Sequence, residues 1–183
     1  MKRIILVLLL IAVSEAASAE ASFQFAAPNL RAPDDPNVNG IRFTLFHGRN
    51  HSVRGLDLGF LSLSETANLS GLSAVLGVGK LDGNMSGCAS GLVNVHLGKD
   101  TGLNAAFVNR VHTVASGANF GFVNVSDEYT MVDVGGLNVS DRSSVQLGFL
   151  NVSRRLRGVQ IGLLNVAENG FLPVFPFFNF PKN

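Results

Sequence analysis

The chain has no tryptophan, a single tyrosine and a single cysteine, Cys88, and only 15% of its residues are charged. One cysteine rules out a disulfide framework and a cysteine-based zinc site. The scarcity of charge, beside 46% hydrophobic residues, rules out a chain kept disordered by self-repulsion. Helical apolar runs of the roughly twenty residues needed to span a bilayer are also missing. What the chain does have is 20 glycines in 183 residues, a composition that favours close backbone packing within one domain.

Lys2 and Arg3 precede an apolar run from Ile4 to Val13, and small residues then lead to Ala17-Ser18-Ala19, the A-x-A form that signal peptidases accept. Residues 1–19 are therefore expected to be a cleavable signal peptide. No cysteine closes the apolar run, so an acylated-cysteine anchor is not expected. Removing residues 1–19 takes Lys2, Arg3 and Glu15 from the 14 basic and 13 acidic side chains and leaves 12 of each. A neutral mature chain has no electrostatic reason to bind nucleic acid.

Self-similarity is the strongest signal. An Asn within Leu-Asn-Val or Val-Asn-Val recurs at Asn94, Asn109, Asn124, Asn138, Asn151, Asn165 and, in the Phe-rich ending, Asn179, with Ser62 and Gly77 at the equivalent earlier places. The clearest units are Gly55–Leu63, Ser144–Val152 and Gly158–Val166; the eroded ones include Gly87–Val95 and Gly117–Val125. In each, apolar residues alternate in the first half, as at Val159, Ile161 and Leu163, the period of a strand with one buried face. The phase slips after Leu163, which marks a corner or bulge, and a bend there would turn both apolar sets inward. Polar stretches with turn chemistry, such as Ser140-Asp141-Arg142-Ser143, separate the units on the solvent side.

Two architectures accommodate such a repeat. In a β-solenoid each unit is one coil and a buried Asn at a corner bonds the Asn above and below it. An antiparallel meander or up-and-down β-barrel should instead repeat in pairs, at about thirty residues. The single period favours an all-β solenoid of about ten coils of roughly 15 residues. The expected organisation is a signal peptide at 1–19, a Pro-rich cap at 20–39, tandem repeats at 40–168 and a Phe/Pro-rich capping repeat at 169–183.

The runs Gly55–Leu61, 144–153 and 158–167 and the ending Leu172-Pro173-Val174-Phe175-Pro176-Phe177-Phe178-Asn179-Phe180 resemble the bacterial surface-repeat protein family, with its tandem Gly-Leu-Gln-Leu-Gly-Leu-Val-Asn units. The resemblance implies a surface location and no established activity. Two units depart from the pattern, with Gly77 in the Asn place and Arg110 in that of the last Val, and any ladder is expected to break there.

Candidate chemistry is sparse. His47 and His51 lack a carboxylate motif, and His96 and His112 read as exposed turn histidines. Arg154, Arg155 and Arg157 cluster between two strands and read equally as a patch for an anionic sugar or phosphate and as a solvated turn that blocks strand pairing. Asp82, Asp100 and Asp141 read as turn carboxylates, and the triplets beginning at Asn68, Asn124, Asn138 and Asn151 as products of the repeat rather than glycosylation sites. Cys88 falls at a core position, and Ser86-Gly87-Cys88-Ala89-Ser90 lacks the first Gly of a nucleophile elbow. No catalytic, cofactor-binding or metal residue is assigned and no cofactor is expected. The expected role is a non-enzymatic structural or interaction protein, exported to the periplasm, outer membrane or cell surface, with a protein or glycan partner and membrane association left open. The alternative is an integral outer-membrane β-barrel acting as a pore or transporter.

Overall fold

The computed structural model describes residues 20–182; the expected signal peptide lies outside them. The chain is an all-β solenoid. Strand β1 (Ala21–Ala27) pairs antiparallel with β2 (Leu30–Ala32) and parallel with the first coil of β3 (Asn37–Leu81). Extended chain then winds through β3 and β4 (Met85–Ala167), and β5 (Val174–Asn179) returns antiparallel on the last coil. The β3–β4 register is parallel, with Leu69 opposite Met85, Gly71 opposite Gly87 and Gly79 opposite Asn94. That register is the solenoid's and not that of an antiparallel meander. Gly79, two residues beyond Gly77, therefore stands next to the Asn column, because the register slips between Val75 and Val78.

Stacked glycines turn the chain at the start of the units from Gly40 to Gly117. Gly87, Gly102 and Gly117 all have φ near +130 to +140°, and a Cβ on Gly102 would fall 1.7 Å from the Gly87 carbonyl oxygen of the coil below. Only glycine fits there, for both backbone and packing reasons. The phase slip after Leu163 is a real corner: Leu163 and Leu164 are consecutive and both exposed.

The sidedness of the strands is the reverse of the expected one. Ile161 is 51% exposed and Leu163 63%, while Gln160 and Asn165 are fully buried. Val159 and Val166 also lie on the outer surface, half-buried against their stacked neighbours, and Ala167 is inside. The cause is the narrowness of the bore. A coil of about 14 residues has walls too close for Leu and Phe to interdigitate, whereas small side chains and amides fit and repeat their hydrogen bonds at the rung spacing of about 4.8 Å. An apolar cluster does exist, of Val38, Val53, Leu69, Leu81, Met85 and neighbours, and further along Val111, Val114 and Leu156 are buried too. It fills the side of the bore beneath the polar turns.

Candidate functional site

Two polar columns run along the bore. In the first, Asn94 Nδ2 donates to Asn109 Oδ1 (3.1 Å), Asn109 to Asn124 (2.9 Å), Asn124 to Asn138 (2.9 Å), Asn138 to Asn151 (2.8 Å) and Asn151 to Asn165 (2.8 Å). Asn165 ends it by donating to the Phe175 carbonyl of β5 at 3.3 Å. Every donor points towards the C-terminus. The column does not break at Arg110, which projects outward while Asn109 keeps its place. Asn179 stands outside the column, because β5 runs antiparallel and sets it opposite Gln160; its Oδ1 accepts from the Phe171 and Phe180 N–H groups and its amide closes the C-terminal loop on Leu172.

The second column is chemically mixed. Arg42, fully buried, donates to both oxygens of Asp57 (2.8 and 2.7 Å) and to Ser64, Thr66 and the Glu65 carbonyl. Further along, Asn104 donates to Asn119, Asn119 to Asp133 Oδ1 (2.8 Å) and Gln160 to Gln146 (2.8 Å). Burial raises the Asp133 carboxyl to about 6, against the lowering effect of hydrogen bonds from Asn119 and Thr130. Such groups are tolerated inside because most of their polar atoms are paired.

His96 and Asp100 are not turn residues at the surface. Both are buried, with His96 Nδ1 2.6 Å from Asp100 Oδ2, and Asn104 donates to the same oxygen. His96 lies two residues beyond inward-facing Asn94, so strand parity turns it inward as well. His112 is exposed, 3.8 Å from Glu128, and His47 is 3.6 Å from Glu65. Among the described residues no three His, Cys, Asp or Glu side chains converge on a point where a metal ion would sit. Cys88 is half-buried on the outer side opposite Leu72, not a core residue. Asn124, Asn138 and Asn151 are fully buried, out of reach of any modifying enzyme.

The outer surface is divided. One edge, formed by the turns between units, carries the charges, which pair between coils, Arg154 with Asp141 and Glu168, Arg155 with Asp141, Arg142 with Glu128 and Lys80 with Glu65, while Lys80 also pairs within its own coil with Asp82. Hydrogen bonds to Asp82 and Glu65 hold Lys80 above the ordinary lysine range. Arg157 packs over the Tyr129 ring. From Gly55, Gly71, Gly87, Gly102, Gly117, Met131, Ser144 and Gly158 to the following Ser62, Gly79 or ladder Asn the only charged residues are Asp57 and Asp133, and both point inward. Those charge-free segments form two faces meeting at a ridge of Phe60, Leu76, Leu92, Phe107, Phe122, Phe149 and Leu163, nearly all strongly exposed. Phe107 and Phe122 stack along it with centroids 5.2 Å apart. A shallow apolar groove between Phe149, Ile161, Leu163 and Phe177 continues the ridge onto β5.

This apolar surface is the feature that sequence reasoning missed, and the signal for it was present. If Asn165 points inward on an extended strand, Leu164 and Val166 on either side of it cannot. No family model, curated protein or solved structure matches the chain.

Proposed function

We propose that this chain is an exported, non-enzymatic structural or interaction protein of the bacterial envelope, and that its lateral faces are its working surface. The carrying observation is the inverted distribution of side chains, with amide columns inside and Leu, Ile and Phe outside. Soluble monomers rarely expose a contiguous apolar patch above a few hundred Å². Here the exposed large apolar side chains, each about half accessible, amount to on the order of 2000 Å². The buried titratable groups are each engaged with neighbours in the closed bore, away from any cleft that would admit a substrate. The likeness of the repeats to the surface-repeat family and the signal-like residues 1–19 support export. As part of the same reading, we take the rung count as about ten, β5 included, from steps of 13 to 16 residues.

The test is fractionation of expressing cells, with a carbonate wash of the membranes and protease added to intact cells. Recovery in envelope, periplasm or medium supports the reading. Recovery in the cytosol with an uncleaved N-terminus overturns it.

A further inference from the structure

We infer that lipid acyl chains cover the ridge and its two flanking faces, so that the solenoid lies on edge in one leaflet with its charged edge among the headgroups. The inference rests on the reading of the lateral faces as the working surface. Hydrocarbon tolerates a protein surface only where every backbone N–H and C=O is satisfied internally. A parallel solenoid meets that condition along its faces, because its ladder bonds run between coils along the axis and not out of the faces, as the Gly71–Gly87 and Gly79–Asn94 registers require; at the ridge the β3–β4 register slips by one residue, between Val75 and Val78. The polar side chains of the bore are closed off behind the walls, and the charge-free segments leave no ion to desolvate on the ridge side.

Dimensions agree with one leaflet. From Glu168 on the charged edge to Leu163 on the ridge is five residues, about 17 Å of extended chain, close to half of a hydrocarbon core of about 30 Å. The shape also distinguishes lipid from a second copy. A standard interface covers about 800 Å² on each partner. The apolar surface here is larger and wraps around a convex ridge, so one rigid partner would cover one face and leave the other in water. Fluid chains cover both. Because the edge charges pair with each other across coils, attachment should need no anionic lipid.

The chain recovered from expressing cells, exchanged out of detergent, should float with dioleoylphosphatidylcholine vesicles, and about 0.5 M NaCl should not release it, since salt screens ion pairs but not apolar contact. Lacking tryptophan, the chain permits single reporters. Brominated acyl chains should quench Leu163→Trp on the ridge and spare Arg155→Trp on the charged edge. Phe122→Glu combined with Phe149→Glu should lower partitioning at least about tenfold without changing the circular dichroism spectrum or melting. A protein that stays at the bottom of the gradient, whether as a monomer or as a dimer or larger assembly, overturns the lipid assignment, as does equal quenching of both reporters. Envelope location without flotation removes the lipid inference alone, whereas cytosolic recovery removes the reading beneath it.

Discussion

Replacing Asn124 with Ala tests the inverted interior most directly. Asn124 is fully buried, its Nδ2 donates to Asn138 Oδ1 at 2.9 Å and to the Val134 carbonyl at 3.1 Å, and its Oδ1 accepts from Asn109 at 2.9 Å. Each bond contributes about 1 kcal/mol net, and a buried partner left unmade costs about 1–3 kcal/mol more. Asn109 retains the Phe120 carbonyl as an acceptor, but Asn138 Oδ1 loses the donor that satisfied it. Three lost bonds and one stranded acceptor together give an expected destabilisation of about 4–6 kcal/mol. Ile161→Asp is the matched control: its side chain is 51% exposed, and in aqueous solution a charge there should shift stability by no more than about 0.5 kcal/mol. Urea unfolding followed by far-ultraviolet circular dichroism reads both, with the denaturant slope checking that the transition has kept its character. A large loss for Ile161→Asp and none for Asn124→Ala would show that the strand faces have been assigned backwards.

Asp133 makes stability fall with rising pH. With its pKa raised to about 6 in the folded chain and 3.8 otherwise, the folded state holds the proton more tightly, so stability is full below about pH 4 and lost as pH rises through 6. Asp133→Asn should flatten that slope and raise stability at pH 7 by up to about 3 kcal/mol, read by unfolding across pH; an unchanged slope refutes it. Arg42→Met strands the Asp57 carboxylate in the bore and should cost about 3–5 kcal/mol, most of it restored by adding Asp57→Leu, as thermal melts would show. Gly102→Ala, at φ +141° and facing the Gly87 carbonyl, should cost about 3 kcal/mol or more, whereas Ser90→Ala, at an exposed position, should leave the melting temperature nearly unchanged.

The repeat, its strand character and its corner were legible because they are properties of spacing: Asn at steps of 13 to 15 residues, alternation up to Leu163, and a slip at Leu164. Strand parity was legible too, but its sign was not. Alternation states that Gln160 and Ile161 face opposite ways, and the habit of sending the apolar one inward holds only where the interior is wide enough to pack it. Bore width is a consequence of coil closure, which no single unit reveals. The second polar column was hidden for another reason: Arg42, Asp57, Asn104, Asn119, Asp133, Gln146 and Gln160 share a position and a capacity for hydrogen bonding, but not an identity that alignment would catch. Register faults at Val75–Val78 likewise moved Gly79 into the place assigned to Gly77.

Because each coil touches only its neighbours, the cross-section is independent of how many coils there are. Duplication or deletion of one 15-residue unit would lengthen or shorten the particle by one rung while preserving its profile, its amide column and its division into greasy and charged edges. Evolution can thus adjust the reach of such a protein by counting, with no new packing problem to solve at each step. The antiparallel β5 marks where the count stops, since it meets the last C-terminally directed amide, Asn165, with a carbonyl and offers the stack no further donor of the same kind.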